Sequence, residues 1–408
     1  LSSRIRLSDA QRLDWLRLIR AEGVGPRTFR GLINRFGGAA AAIDALPDLA
    51  KGRGKIVTVP SRDEAEQEIA AAARIGARFA ALGEADYPQA LAAIDDAPPL
   101  LCVRGPGEIL RRVAVAIVGS RNASALGLKF AERIAREMGG AGLVIVSGLA
   151  RGIDARAHAA SLDTGTVAVL AGGQDRIYPA ENIPLLDRIV AAGGAIVSEM
   201  PIGWEPRGRD FPRRNRLISG IALGTVVVEA SRRSGSLITA RFAAEQGREV
   251  FAAPGSPLDP RAEGTNDLLR EGATLMTEAA HVLEALEPLI RDGNPRPKLL
   301  SARESEATRQ MELWDEIDLL EDGSGASRVV VPDAWAHTLL SEDENDSRGL
   351  SPRDAVLAAI GAAPVGVDDV VRATGLDAGR VQREVLELEL AGEVFRAGGG
   401  LLSRHLVA

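Results

Sequence analysis

The sequence predicts an α/β protein: a parallel sheet covered by helices on both faces, preceded by a small helical domain and followed by a winged helix-turn-helix. Three observations predict this. Between Val113 and Met276 the apolar runs VAVAIVGS, LVIVSG, TVAVLAGG, GAIVSE, TVVVEA and EVFAAPG alternate with helical patterns and end in glycine or small polar residues. Unbroken β-branched runs of this kind mark parallel strands buried on both faces, a Rossmann-like core. Ahead of them, SDAQRLDWLRLIRAE carries apolar residues at helical spacing until GVGPRTFRGLINRFGG interrupts it. Behind them, PRDAVLAAIG, GVDDVVRATG, a turn at Gly375, DAGRVQREVLELELAG and EVFRAGGGLLSR follow the order helix, helix, turn, helix, hairpin.

Taken in order, residues 1–84 form the helical domain, of a SAM-like or helix-hairpin-helix-like kind. Its glycine turn offers N–H groups to phosphate, although such turns serve packing equally often. Residues 85–290 form the Rossmann-like core. Residues 291–350 are Pro-rich, then acidic and Ser-rich, ending near SEDENDSRG, a composition that suits a linker. Within it, MELWDEIDLL has periodicity for a turn or two of helix. Residues 351–408 form the winged helix. Arg380 and Arg383 on its third helix face duplex DNA in such folds, but Glu384, Glu387 and Glu389 follow closely and favour a protein-contact role.

A chain of 408 residues exceeds what one hydrophobic core organises, in agreement with this division. No window approaches the roughly 18 to 20 apolar residues of a membrane span. The first residues, LSSRIRLSDAQRLDWLRLIR, lack the apolar segment of a signal peptide, and no initiator Met opens the chain, so its start is expected to be incomplete. The single cysteine, Cys102, excludes an internal disulfide and a cysteine metal cluster, and four scattered histidines offer no zinc spacing. No metal or cofactor is expected, and the location expected is cytoplasmic. The net charge of -7 argues weakly against nucleic acid, but local charge decides binding.

Local charge points to the ends of the strands. VAIVGSRNASALG ends a strand with Gly119, Ser120 and Arg121 before a helix, where N–H groups and a guanidinium attract phosphate. A lone GSR turn reads about equally as a tight connection, and it lacks the glycines of G-x-G-x-x-G. SGLARGIDARAHAAS repeats the construction with Ser147, Gly148 and Arg151, and two such loops share the carboxyl edge of one sheet, where ligands of open α/β folds bind. AGGQDRIYPAEN adds Tyr178 as a packing or stacking group. Arg213, Arg214, Asn215 and Arg216 of DFPRRNRLISG follow Trp204 and Phe211, and guanidinium groups interleaved with aromatics suit single-stranded nucleic acid. The competing reading is a solvated face balanced by Glu205 and Asp210. Against it, arginines at the start of a helix oppose its dipole, a cost a bound anion offsets. Arg121 and Arg214 are expected at the ligand-facing edge with little packing. VVVEASRRSGSLITA places Arg232 and Gly235 on the same edge.

The series IVGSR, SGLARGID, YPAEN, SEMP, FPRRNRLISG, VVEASRRSGSLITA and GTNDLLREGA resembles the DNA-processing protein A family, DprA, also called Smf, from about Ala85 to Leu275. The resemblance implies a core that binds single-stranded DNA, forms a homodimer and passes the strand to the RecA recombinase during natural transformation of competent cells. By motif, Gly119, Ser120 and Arg121 hold phosphate, while Phe211, Arg214, Asn215 and Arg216 line the strand path. The family often has lysine after YP; here Ala180 and Glu181 follow.

An enzyme on the same scaffold, a nucleotide phosphoribohydrolase, is the alternative. Those enzymes carry a PGGxGTxxE loop, and VVVEASRRSGSLITA lacks its glycine cluster. His158 is expected to be structural and non-catalytic, with Asp154 at i−4 on the same helix bonding its ring.

Overall fold

A computed structural model describes residues 6–51, 57–291, 351–361, 364–396 and 401–404. The stretch MELWDEIDLL and the rest of the expected linker lie outside the described residues.

The chain begins with four helices, α1 (Asp9–Arg20), α2 (Pro26–Phe36), α3 (Ala39–Lys51) and α4 (Arg62–Arg74). Ser8 and Ser61 each start a helix with a capping box, satisfying N–H groups at the N-terminus that have no helical acceptor. Pro26 opens α2 and Gly37, at φ 77°, closes it. Leu18, Phe29, Leu32, Ala42 and Leu46 fill the space between the first three helices.

The core follows as β1 (Ala77–Ala81), α5 (Gln89–Ala92), β2 (Leu100–Arg104), β3 (Ala114–Gly119), α6 (Ala125–Gly140), β4 (Val144–Ser147), α7 (Ile153–Ala160), β5 (Thr166–Leu170) and α8 (Ile183–Ala191). It continues as β6 (Ala195–Ser198), α9 (Asp210–Ile221), β7 (Gly224–Val228), α10 (Gly235–Glu245), β8 (Glu249–Ala252), α11 (Glu263–Arg270), β9 (Thr274–Leu275) and α12 (Ala279–Arg291). The strands form one sheet in the order β1-β2-β6-β5-β4-β3-β7-β8-β9. From β6 to β9 all neighbours are parallel, whereas β1–β2 and β2–β6 are antiparallel. β1 therefore belongs to the sheet, and the expected boundary at residue 84 cuts across it.

Alternation along the strands divides the core into two layers. Ala114, Ala116 and Val118 of β3 join Leu217, Ile218 and Ile221 of α9 and Ala240 of α10. Val115 and Ile117 join Ile134 and Met138 of α6 and Val282 and Leu286 of α12. Each such side chain, fully buried, contributes roughly 1.5–3 kcal/mol, and Ile117→Ala would cost about 2–5 kcal/mol through the cavity it leaves. Phe79 and Leu100 of the antiparallel pair meet Leu13 and Leu16 of α1, so the helical domain packs directly on the sheet. Arg12 to Glu84 at 2.7 Å adds to that contact, as does the bond that Arg20 Nη1 donates to the Glu199 carbonyl at 3.1 Å.

The last part comprises α13 (Pro352–Ala359), α14 (Val367–Thr374), α15 (Ala378–Leu390) and the antiparallel wing β10 (Val394–Arg396) and β11 (Leu402–Arg404). Val356, Val370, Val381, Leu388, Val394 and Leu402 make its core, and Ala125 and Leu126 of α6 pack into the same cluster. Lys129 Nζ lies 3.4 Å from Asp369, and Arg261 Nη1 donates to the Ala358 carbonyl at 2.7 Å. The winged helix is thus docked on the first turn of α6. No described helix is long and apolar enough to cross a membrane.

Candidate nucleic-acid interface

Because β3 to β7 run parallel, the loops that follow them emerge along one edge. The chain reverses its direction of progress at β3 and β7, the point where open α/β sheets hold ligands. On the β4 and β5 side of that point lies a recess. The loop after β3 contributes Arg121, that after β4 contributes Gly148, Ala150 and Arg151, that after β5 contributes Tyr178 and Pro179, and α9 contributes Phe211 and Arg214.

Phe211 is the centre of this arrangement. Its ring meets Tyr178 edge to face at 5.5 Å, and the guanidinium carbons of Arg121 and Arg214 lie 5.7 and 5.9 Å from its centroid. Phe211 itself is buried, while Tyr178 is 41% exposed and so presents an aromatic surface to a ligand. Arg151 stands at the rim, its Nε 2.6 Å from Glu181. Glu181, one residue beyond Ala180, therefore draws one rim cation toward itself.

Arg214 differs from expectation. It is buried, and Nη1 donates to the Gly148 carbonyl and, at 2.5 Å, to that of Val169, joining the ends of β4 and β5. A Cβ on Gly148 would lie 2.5 Å from that nitrogen, so only glycine lets the guanidinium approach. The Gly148 N–H in turn donates to Asp154 Oδ2 at 3.0 Å. Burial pushes the Asp154 carboxyl up, and burial, partly offset by Asp154, brings the Arg214 guanidinium down to about 10, which keeps it charged at neutral pH. Arg214 places a cation beneath the recess and is also a structural post.

The rest of DFPRRNRLISG faces inward. Arg216 is fully buried, with Nη2 2.6 Å from Glu199 Oε2 and Nη1 donating to the Asp96 carbonyl at 2.5 Å. Arg213 Nε is 3.6 Å from the same Glu199 oxygen, and burial lowers its pKa. Asn215 Nδ2 donates to the Gly235 carbonyl at 3.2 Å. Arg216 and Asn215, expected along a strand path, are engaged by these internal partners. The anion expected at the start of α9 is likewise internal: Asp210 Oδ2 accepts from Trp204 Nε1 at 2.9 Å and from the Arg207 N–H at 2.8 Å. Arg207 lies over the Trp204 ring at 4.8 Å, away from the recess lining.

The phosphate seat expected at the GSR helix is occupied too. Ser124 caps α6, its N–H donates to Glu229 Oε2 at 2.8 Å, and its hydroxyl donates to the other carboxylate oxygen. A Cβ on Gly127 would sit 2.5 Å from the Glu229 carboxyl carbon. Glu229 adopts φ 51°, costly for a side chain of its size, and burial pushes its pKa up. Gly119 and Ser120 lie at this junction, the Ser120 N–H donating to the Glu229 carbonyl at 2.7 Å. Only Arg121 of the GSR motif reaches the recess.

Among the remaining expected site residues, Ser147 is buried and donates to the Ile117 carbonyl at 2.6 Å. Arg232 and Gly235 sit beyond β7, where Arg232 Nε lies 3.0 Å from Asp267. His158 is fully buried with Nδ1 2.7 Å from the Thr166 hydroxyl; Asp154, expected to bond its ring, serves Gly148 instead. Burial pushes His158 down to about 3, so its ring is neutral at physiological pH. No group of three potential metal ligands occurs among the described residues. Tyr178, offered by the sequence as a packing or stacking group, takes the exposed place in the recess; Pro179 and Ala150 were not singled out, Pro179 having the YP pair as its signal and Ala150 the SGLARG loop. Nothing near GSR in the sequence points to Glu229.

A family model described as DNA recombination-mediator protein A matches residues 78–287. Models for a DprA-like N-terminal HHH domain and a DprA winged helix domain match residues 9–71 and 343–400. Protein Smf of Escherichia coli (strain K12) is 37% identical over 316 residues, 77% of this chain and 74% of its own. Protein Smf of Synechocystis is 32% identical over 413 residues, 96% of this chain and 98% of its own. Among solved structures, DNA processing protein A (DprA) from Streptococcus pneumoniae is 31% identical with a TM-score of 0.57, covering 69% of this chain and 98% of that one.

Proposed function

Because the chain belongs to the DNA recombination-mediator protein A family, we propose that it binds single-stranded DNA at the recess along the carboxyl edge of its parallel sheet, without catalysis. The observation that carries this reading is the exposed Tyr178 ring beside Phe211, with Arg121, Arg151 and Arg214 around it. Guanidinium groups take phosphates, an aromatic face takes any unpaired base, and a base held in a duplex cannot offer that face. The buried post of Arg214 means that the charge is in place before a strand arrives. Gly148 lines the recess, Gly119, Ser120, Ser147, Arg213, Asn215 and Arg216 hold the strand ends and α9 that form it, and Arg232 and Gly235 continue the edge beyond β7.

In this reading the protein is a cytoplasmic homodimer that protects incoming DNA during natural transformation and loads the RecA recombinase onto it. Its units are a helical domain up to about residue 76, a sheet domain to about 290, a linker, and the winged helix from 351. The word mediator in the family's description supports a hand-off role.

The test is fluorescence anisotropy of the full chain with a labelled 30-nucleotide strand, its duplex, and a nucleoside monophosphate as competitor. The strand should bind more tightly than the duplex, with affinity falling as salt rises by roughly 0.7 of a log unit per log unit of salt for each phosphate contacted. Tyr178→Ala should weaken binding by about 5- to 150-fold, the worth of roughly 1–3 kcal/mol of stacking. Equal affinity for duplex, or base or phosphate released from the monophosphate, would refute the reading.

A further inference from the structure

The winged helix presents a surface that suits neither DNA nor its own core. Among its described residues, eight carboxylates face six arginines. Most of those arginines are held by the module's own acids: Arg380 Nε is 2.9 Å from Glu384, Arg396 Nε is 2.9 Å from Glu389, and Arg353 and Arg372 pair with Glu393 and Asp369. α15 holds the position of a groove-reading helix, yet the solvent side of its last turns carries Leu386, 56% exposed, and Leu390, 81% exposed, one turn apart. Glu387 is exposed beside them. Of the two arginines on this helix, Arg380 is neutralised by Glu384 while Arg383 stays exposed, and apolar side chains fill the last turns, so duplex DNA has little to hold.

This face is also not the one that docks on the sheet domain. Docking runs through Ala358 at the end of α13 and Asp369 of α14, whereas α15 packs on α13, α14 and β10. We infer that the exposed face of α15 is a docking surface for a basic amphipathic helix of a partner protein. Charge complementarity selects that occupant: an apolar stripe would cover Leu386 and Leu390, and lysines or arginines at its margins would meet Glu387 and the net-acidic module around it. The inference is independent of the reading of the recess, since it uses no residue of the sheet edge.

The experiment uses the full chain and two labelled synthetic helical peptides with the same leucine stripe, one flanked by lysines and one by glutamates. The lysine peptide should bind at least tenfold more tightly than the glutamate peptide. Leu386→Ser combined with Leu390→Ser should reduce that binding at least tenfold without lowering Tm, because both side chains are exposed. Glu387→Lys should also weaken it. Absence of binding by the lysine peptide, equal binding of both peptides, or equal binding by the serine variant would overturn the inference. So would duplex DNA retained through Leu386 and Leu390, or a dimer in sedimentation that only the serine variant lacks, which would make the occupant a second copy.

Discussion

Replacing Arg214 by alanine should damage the fold as well as the interface, whereas replacing Arg121 should damage the interface alone. Arg214→Ala strips the donor from the Gly148 and Val169 carbonyls and the counter-charge from buried Asp154. Breaking a buried charge pair costs about 3–5 kcal/mol, and each carbonyl left dry adds to the upper part of that range. For a sheet domain of roughly 200 residues, 1 kcal/mol moves Tm by about 2–4 °C, so the expected fall is about 6–20 °C. Arg121 is half-buried, and its contact with the Phe211 ring, worth about 0.5–1 kcal/mol, corresponds to a fall of a few degrees. Calorimetry of the full chain at neutral pH measures both, and anisotropy below the variants' melting points measures strand binding. Arg214→Lys, which keeps the charge but loses the planar fork, should fall between. If Arg214→Ala melts within 2 °C of wild type, the guanidinium is not a post between β4 and β5.

Three further outcomes are expected. Glu181→Gln removes the carboxylate 2.6 Å from Arg151 at the rim and should raise strand affinity roughly three- to tenfold, with a steeper salt dependence; unchanged affinity in anisotropy would remove Arg151 from the interface. His158 has its folded pKa lowered to about 3 from 6.5, so the unfolded chain takes up a proton that the folded one refuses, and this contribution is lost as pH falls from about 6.5 toward 3. It amounts to about 2 kcal/mol between pH 7 and pH 5; urea unfolding should therefore show a shallower acid loss for His158→Gln than for wild type, and parallel profiles would contradict the assignment. Arg261→Ala, which removes the bond to the Ala358 carbonyl, should speed hydrogen exchange in α13 while leaving exchange in β3 and β4 unchanged.

How far the sequence discloses this protein depends on where each residue's partner lies. The parallel strands were legible because burial on both faces leaves no polar positions, and the winged helix because Gly375, at φ 69°, ends α14 where the turn requires it. β1 and β2 were not: ARFAA is too alanine-rich to separate from the helix before it, and LLCVR is short and follows a proline-rich turn. Arg121, Gly148, Arg151, Phe211 and Arg214 were legible as one edge because strand ends in a parallel sheet come together by topology. The inward course of Arg216 was not legible because adjacency in DFPRRNRLISG is not adjacency in space. At about 100° per residue, positions 214 and 216 point some 200° apart, one to the strand ends and the other to Glu199 and Asp96. Asp96, Asp154 and Glu199, which neutralise this segment, and Glu229 at the start of α6 come from distant loops and from α7, and no local pattern announces them.

Glu229 gives the sheet edge a permanent tenant where related topologies wait for a visitor. Since the carboxylate at the start of α6 is part of the chain, the loop leading to Arg121 is held whether or not a phosphate compound is present. The start of α6 is thus furnished by the protein's own side chain: the anion that completes it arrives with folding, not by diffusion.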